Sequence, residues 1–173
     1  FCPQYDGLIL NEDKKIYTLG LLFKKNLLSI RKIQIDFDPW KAKIGTDGRE
    51  ATYKFTRPPH VLAVEHKETG NQLALSVVHF KSKRPSNNLT WEQKQKEAIR
   101  NRKRIVAEST RLRELLFTRT EANNAAIDRF LVMGDINDGP DFDRYEKQIL
   151  VSGVESLLGS VLDPGKILYS FVD

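Results

Sequence analysis

Short apolar runs separated by glycine, proline and asparagine fill the first half of the chain, and this pattern predicts β-strands joined by turns. The first two runs should form a hairpin across Lys24-Lys25-Asn26, and a later pair should form a second hairpin across residues 68–71. Residues 38–51, which contain a proline and two glycines, are predicted to be loop. The expected strands are residues 16–24, 27–37, 52–57, 61–66 and 73–80.

Apolar residues in the second half recur at helical spacing after Thr90, which lies three residues before Gln93 in the order of a capping box. A long helix is therefore predicted from there to about residue 117. Its apolar side should consist of Ala98, Ile105, Val106, Leu112, Leu115 and Leu116. The later elements should be a buried strand at 130–133, a short helix at about 141–151 that Gly153 ends, and a weak strand at 167–172. Hairpins with inserted helices predict one α/β or α+β layered domain over residues 1–173.

A polar cluster follows the apolar run in residues 130–140, Phe-Leu-Val-Met-Gly-Asp-Ile-Asn-Asp-Gly-Pro. Because residues two apart in an extended chain point to the same side, Asp135 and Asn137 should face one spot while Ile136 turns into the core. A carboxylate beside a carboxamide can hold a water or a phosphoryl oxygen near a hard cation. The alternative is a strand followed by an ordinary Asx turn, since Asp, Asn and Gly are common turn residues.

Two further polar residues lie at the ends of predicted strands. Arg57 precedes Pro58-Pro59, and His79 lies within Val-Val-His-Phe-Lys-Ser-Lys. A guanidinium binds phosphate through two parallel hydrogen bonds, and an imidazole can protonate or stabilise an oxyanion, so the set describes a phosphoester site. Each residue also has a structural alternative: Arg57 as a surface ion pair, and His79 as a strand histidine with its hydrogen bonds satisfied.

The formal net charge of +5 comes from 28 Lys and Arg against 23 Asp and Glu, and it is unevenly distributed. The stretch 81–113 holds eleven basic and three acidic residues, a local charge of +8, which leaves −3 for the remainder. Such a segment is compatible with a polyanionic partner such as nucleic acid or an anionic headgroup. A solvated helix face is the more common reason for a charge run.

Cys2 is the only cysteine of the sequence, which excludes an internal disulfide and a thiolate metal cluster. No apolar run approaches the roughly 18 residues of a membrane-spanning helix, so a soluble protein is expected, with cytoplasmic and secreted or periplasmic locations both open. The sequence begins without Met and without a charged-then-apolar leader. It is therefore expected to be a processed product or a piece of a longer chain.

Three blocks in this order resemble the endonuclease/exonuclease/phosphatase superfamily: Arg57-Pro-Pro, His79-Phe-Lys-Ser-Lys and Gly134-Asp-Ile-Asn-Asp-Gly-Pro. These metal-dependent phosphoesterases include pancreatic deoxyribonuclease, the exonuclease III class and sphingomyelinases. Tyr17-Thr-Leu-Gly-Leu-Leu-Phe and Leu168-Tyr-Ser-Phe are similar to two further strands of the family, so the likeness covers nearly the whole chain. The resemblance implies a four-layer sandwich of two mixed β-sheets with outer helices, and a Mg²⁺ or Mn²⁺ site at one end of the sheets.

The resemblance also implies roles for individual residues. Catalysis would depend on His79, which contacts the scissile phosphate, and on Asp135 and Asn137, which orient the attacking water. Arg57 and Lys81 would bind the substrate phosphate. Asp135 and Asn137 would be the metal ligands in this chain, and only weak ones.

The weakness follows from two departures from the family pattern. Nothing before residue 16 matches the family's Asn-bearing strand or the strand with its principal metal-binding Glu, and the sequence stops at residue 173, before the position of the family's terminal Asp and Ser-Asp-His motifs. The domain is thus expected to be incomplete at both ends, to bind metal poorly and to have little activity by itself. Exposed sheet edges should favour homo-oligomer contacts.

The function expected of the intact parent is hydrolysis of a phosphodiester, in DNA or RNA, by metal-assisted attack of water on phosphorus. A phospholipid, an inositol phosphate or a nucleotide is the alternative substrate within the same superfamily. A non-catalytic scaffold domain, in which the fold persists without the missing residues, is the alternative from another functional class.

Overall fold

The computed structural model describes residues 3–10, 19–122, 127, 129–139 and 143–170, with the backbone alone for 119–122. The strands are β1 Tyr5–Ile9, β2 Gly20–Lys24, β3 Leu28–Lys32, β4 Trp40–Lys43, β5 Glu50–Tyr53, β6 His60–His66, β7 Gln72–His79 and β8 Phe130–Asp135. The helices are α1 Trp91–Ala122 and α2 Gly153–Leu158, with 3-10 turns at Glu146–Gln148 and Pro164–Lys166. Several residues named in the sequence motifs lie outside the described residues: Cys2, Tyr17, Thr18, Pro140, residues 141–142 and Phe171.

The central element is a four-stranded mixed sheet in the order β3-β6-β7-β8. Strands β3, β6 and β7 are antiparallel neighbours, and β8 runs parallel to β7. The predicted hairpin across residues 68–71 is confirmed as β6–β7. The predicted strand at 130–133 is confirmed as β8, but its predicted burial is wrong: β8 is an edge strand whose residues are partly buried or exposed. The nearly continuous apolar sequence of β6 and β7 follows from their position, because strands buried on both faces need apolar side chains on both.

The predicted hairpin between the first two strands is wrong. Strand β2 pairs antiparallel with β1, and β3 pairs with β6, so Lys24-Lys25-Asn26 carries the chain from one sheet to another. The loop predicted over residues 38–51 is also wrong in part, because β4 and β5 form a two-stranded antiparallel sheet there. Apolar alternation identifies extended segments but leaves open which neighbour each one bonds.

Helix α1 confirms the long helix and extends beyond the predicted end. Its capping box forms as expected: the Thr90 N–H donates to Gln93 Oε1 at 3.0 Å, and the Gln93 N–H donates to Thr90 Oγ1 at 3.3 Å. All six residues predicted for its apolar side are buried. In the part of the chain that the structure describes, no helix is both long and apolar enough to cross a membrane.

The mixed sheet is covered on both faces. On one face, residues such as Val61 and Val78 pack with Leu112 and Leu116 of α1 and with Leu157 of α2. On the other face, the buried residues Leu62, Val64, Leu75 and Val77 pack with Leu10 and with partly buried leucines of the β1–β2 region. The described residues therefore supply a helix layer, the mixed sheet and a second small sheet, and the predicted mixed α/β fold is confirmed.

The prediction of a short helix at about 141–151 that ends at Gly153 is wrong. Residues 146–148 form only a 3-10 turn, and Gly153 begins α2 instead of ending a helix. The cause is the preceding residue: the Glu155 N–H donates to Ser152 Oγ at 3.1 Å, and the Ser152 N–H donates to Glu155 Oε2 at 3.0 Å. This capping box starts a helix at a position where glycine alone suggested a stop. The weak strand predicted at 167–172 lies partly outside the described residues, and its described part, residues 167–170, forms no strand.

Candidate functional site

The candidate site lies where β7 and β8 end. Because these strands are parallel and in register, His79 lies opposite Asp135, and the Phe80 N–H donates to the Asp135 carbonyl oxygen at 2.9 Å. The His79 Nε2 and Asp135 Oδ2 atoms are 3.7 Å apart, which is longer than a direct hydrogen bond. The Asp135 side chain is 60% exposed and the His79 side chain 19%. A partly shielded imidazole thus stands beside a solvent-facing carboxylate.

Asn137 is held at the same edge of the sheet. Its backbone N–H donates to Asp135 Oδ1 at 2.8 Å, and its Nδ2 donates to the Phe80 carbonyl oxygen at 3.0 Å. The backbone has a positive φ of 57°, which Asn tolerates better than most residues. Ile136 packs against the core, as predicted. The Asx turn proposed as the alternative is therefore present, and it holds Asn137 beside Asp135.

Arg57 reaches the same strand end from the segment after β5. Its Nη1 donates to the carbonyl oxygens of His79 and Phe80, both at 3.2 Å. The guanidinium therefore adds positive charge next to His79 and fixes the end of β7. Lys81 follows two residues after His79, half-buried, and its backbone N–H is bonded to helix α1. The structure thus places all five residues named from the sequence in one region, with Lys81 at its margin.

A buried acid on α1, which the sequence analysis did not single out, supports this region. Glu108 is fully buried, and it accepts the Thr56 N–H at Oε1 (2.7 Å) and the Lys81 N–H at Oε2 (3.0 Å). Burial raises the pKa of Glu108, and the hydrogen bonds from Thr56 and Lys81 partly oppose that shift. The signal was available, because Glu108 lies in helical phase with the apolar Ile105 and Leu112.

The environment of His79 keeps the imidazole neutral at pH 7. Burial lowers its pKa, the Arg57 charge lowers it further, and the Asp135 carboxylate acts in the opposite direction. A neutral imidazole offers one N–H donor and one acceptor nitrogen. His79 can therefore donate to a phosphate oxygen without carrying a charge of its own.

The residues after Asn137 are anchored by buried ion pairs. Lys83 Nζ lies 2.5 Å from Asp138 Oδ1 and 2.6 Å from Glu146 Oε1, and these two carboxylate side chains are 2% and 1% exposed. Asp138 also accepts the Gly153 N–H. Asp138 lies in the same block as Asp135, residues 134–140, but its contacts are structural, because they bind this block to Lys83 and Gly153.

Two further ion pairs use other basic residues of the segment 81–113. Arg102 Nε donates to Asp143 Oδ2 at 2.7 Å, and Lys103 Nζ donates to Asp47 Oδ2 at 2.8 Å. Arg102 and Lys103 thus bind α1 to the loops around it, and Lys83 binds Asp138 and Glu146. The excess of basic residues in this segment is therefore partly structural.

Acidification below pH 4 is expected to weaken the fold through Asp143. Burial alone would raise the pKa of this carboxyl, but hydrogen bonds from Arg102 and from the N–H groups of Glu146 and Tyr145 outweigh it and lower the pKa to about 2. A carboxyl group whose pKa is lower in the folded state than in the unfolded state stabilises the fold at pH values above its unfolded-state pKa, near 4. That stability is lost as the pH falls towards 2. With about a third of the side chain exposed, the effect should be about 1–2 kcal/mol.

Urea unfolding at pH 6 and pH 3 measures this contribution. The loss of stability between the two pH values should be smaller by about half that amount in Asp143→Asn than in the unmodified chain, because pH 3 lies midway between the folded and unfolded pKa values. Equal losses in both proteins would show that Asp143 does not carry the pH dependence.

The described side chains offer few ligands for a metal ion. Among the residues that the structure describes, no group of three or more His, Cys, Asp or Glu side chains is placed to hold one. Asp135 presents an exposed carboxylate, and Asn137 Nδ2 is bonded to Phe80, which leaves the Asn137 Oδ1 as the acceptor of that carboxamide. Two oxygens are far fewer than the six or more that a hard divalent cation requires, so water would supply most of its ligands. These residues by themselves do not make a complete metal site.

Comparisons with known proteins return no matching family model and no matching curated protein. Among solved structures, the chain is similar to the human Nocturnin catalytic domain with bound sulfate anion, with 17% sequence identity and a TM-score of 0.42. The match covers 84% of this chain and 46% of that one, so this chain spans less than half of the neighbour's length.

Proposed function

We propose that this chain carries the phosphate-binding part of a metal-dependent phosphoesterase whose substrate is a phosphodiester in DNA or RNA. The observation that supports this most is the parallel register of β7 and β8, which brings His79 opposite Asp135 with 3.7 Å between Nε2 and Oδ2. Asn137 and Arg57 are tied to the same strand end through the Phe80 carbonyl oxygen. Side chains that can bind a phosphate group or a water thus lie together at the ends of β7 and β8.

The proposed roles follow from the state of each group. A water beside His79 Nε2 and Asp135 Oδ2, which are too far apart for a direct bond, can bond to both, whereas a phosphate oxygen can only accept from His79. His79, neutral at pH 7, donates to the phosphate oxygen, and the Asp135 carboxylate accepts a proton from water and orients it. Arg57 contributes positive potential where negative charge develops.

A divalent cation remains part of the proposal, with Mg²⁺ or Mn²⁺ contacted by Asp135 and Asn137 Oδ1. When bound, such an ion supplies Lewis acidity and lowers the pKa of a coordinated water. The proposed roles of His79 and Arg57 do not depend on that ion, because they follow from protein contacts alone.

The basic segment supports a nucleic-acid substrate over a small phosphoester. Ion pairs use Lys83, Arg102 and Lys103, and Arg100 pairs with Glu97 at 3.4 Å, whereas Lys96 on α1 is exposed. Exposed cations near a phosphate site favour a polyanion, with an affinity that falls as salt rises. Lipid, inositol or nucleotide phosphoesters remain the alternative substrates.

Titration with bis(4-nitrophenyl) phosphate in Mg²⁺, followed by NMR and by release of nitrophenolate, tests the proposal in one sample. Shifts should concentrate at His79, Asp135 and Asn137, and any turnover should fall by about 10²–10⁴-fold in His79→Ala. His66→Ala is the matched control. His66 lies at the end of β6 that is far from His79, so this substitution should leave both readouts unchanged. Shifts located elsewhere, or an equal response in the two variants, would contradict the proposal.

The scarcity of metal ligands in the described residues favours a second candidate, a non-catalytic domain that binds phosphate groups. The same titration distinguishes the two. Turnover in Mg²⁺ or Mn²⁺ that depends on His79 would identify the enzyme. Ligand shifts at His79 and Asp135 without turnover would identify the binding domain only when the intact parent gives the same result, because this chain by itself is expected to have little activity.

A further inference from the structure

Strand β8 forms one edge of the four-stranded sheet and, within the described ranges, has a strand partner only in β7. The opposite edge strand, β3, ends in Arg31 and Lys32, charges of the kind that discourage edge pairing. By contrast, residues 130–134 carry no charge, and the side chain of Met133 is 43% exposed. A groove of about 660 Å³ lies beside this edge, lined mainly by apolar residues of β8, α2 and the segment 165–170.

The backbone of β8 is oriented for further pairing. The Arg129 carbonyl oxygen accepts the Ala74 N–H, and the Asp135 carbonyl oxygen accepts the Phe80 N–H, both at 2.9 Å. In a parallel ladder alternate residues bond to a given neighbour, so the odd-numbered residues of β8 bond to β7. The even-numbered residues, Phe130, Val132 and Gly134, therefore direct their N–H and C=O groups to the open edge.

The open edge is complementary to itself. Arg129 precedes Val132 by three residues and Asp135 follows it by three, with apolar residues and Gly134 between. In an antiparallel pair of two β8 strands centred on Val132, each Arg129 lies opposite the Asp135 of the other copy. The even-numbered residues then exchange main-chain hydrogen bonds, since directly opposed residues of this parity form the hydrogen-bonded pairs of an antiparallel ladder.

We propose that this edge is a homodimer interface in which the β8 strands of two copies pair antiparallel about Val132 and join two four-stranded sheets into one of eight strands. A twofold interface requires a surface that matches itself, and the opposite charges at equal distances from Val132 meet that requirement. Opposed side chains on one face of such a pair have Cβ atoms about 5 Å apart, within reach of an Arg–Asp ion pair. Parallel pairing would instead place like charges opposite each other, so the charges also select the direction.

The interface would change the candidate site. It brings Arg129 of the second copy next to Asp135, and hence next to His79, so each copy supplies a guanidinium to the phosphate site of the other. This consequence rests on the proposed function, whereas the interface itself rests only on β8. Failure of the phosphate titration would leave the dimer intact, and failure of the dimer would leave the titration at His79 unaffected.

Sedimentation equilibrium across protein concentrations of about 1 µM to 1 mM tests the interface. The unmodified chain should associate to a dimer. Arg129→Glu should raise the dissociation constant at least about tenfold, because it places two like charges opposite each other at both ends of the pair. Lys96→Glu makes the same change in net charge on the exposed side of α1 and should leave the dissociation constant unchanged.

Two further variants separate the interface from loss of folding. The double variant Arg129→Glu with Asp135→Lys reverses each ion pair and should restore most of the affinity that Arg129→Glu removes. Val132→Pro deletes a main-chain donor that faces the open edge while leaving the bonds to β7 in place, and should abolish the dimer with the far-ultraviolet circular dichroism unchanged. A monomer at every concentration, a dimer unaffected by Arg129→Glu or Val132→Pro, or a charge reversal that restores nothing would overturn the proposal.

Discussion

Replacing Lys83 by Met should lower the free energy of unfolding by about 3–5 kcal/mol. The Lys83 ammonium lies between Asp138 and Glu146, whose side chains are 2% and 1% exposed. Burial alone would lower the pKa of Lys83, but hydrogen bonds to the two carboxylates outweigh it and raise the pKa. Met retains the length of the side chain, so the loss would reflect two buried carboxylates deprived of their common cation.

Urea unfolding at pH 7, followed by circular dichroism, measures this loss. Lys96→Met is the matched control, because Lys96 is exposed on the first turns of α1 and its replacement should change stability by less than about 0.5 kcal/mol. A domain with a total stability of about 5–15 kcal/mol would lose a large fraction of it through Lys83→Met. A loss no larger than that of the control would show that the two carboxylates are protonated or hydrated in the folded chain.

Gly134→Ala should destabilise the chain by about 3–5 kcal/mol and displace the residues that follow. Gly134 has a φ of 126°, which residues with a Cβ rarely adopt, and a Cβ built there would overlap the backbone carbonyl of Val78. The main chain of Val78 cannot move aside as a side chain could, because Val78 belongs to β7, which pairs with β6 on one side and with β8 on the other. Relief would require β8 to separate from β7 just before Asp135.

Gly70→Ala separates the two causes of this effect. Gly70 also has a positive φ, 69°, but a Cβ there would meet nothing within 4 Å, so the substitution should cost only about 1 kcal/mol. Denaturant midpoints give the stability of each variant, and the NMR shift of the His79 ring reports whether Asp135 has moved. A similar loss in both variants would mean that backbone conformation, and not contact with Val78, makes Gly134 necessary.

The elements that the sequence predicted well are those with a strong local signal. Strands β6, β7 and β8 are apolar enough to be identified without knowledge of their neighbours, and the capping box at Thr90 located the start of α1. The polar residues at the ends of these strands followed from the same pattern. Their convergence was expected once β7 and β8 were both assigned to one buried sheet.

The predictions that failed needed information from distant parts of the chain. Nothing local to β2 and β3 indicates that one bonds β1 and the other β6, and the β4–β5 sheet lies within a stretch whose glycines suggested loop. The helical phase of Glu108 indicated that it lies on the buried side of α1, but its partners Thr56 and Lys81 come from distant segments. Ser152 is the exception, because its capping box with Glu155 could have been recognised from the sequence.

The sequence alone determined the buried strands, the long helix and the types of polar residue that end those strands, because burial and capping depend on residue type and on spacing along the chain. Only the tertiary structure decided that β8 lies parallel to β7 with His79 opposite Asp135, and that Lys83 forms ion pairs with two buried carboxylates. Strand pairing and the compensation of buried charge are interactions between segments far apart in the chain. Their free energies depend on which surfaces meet, and no short stretch of sequence specifies that.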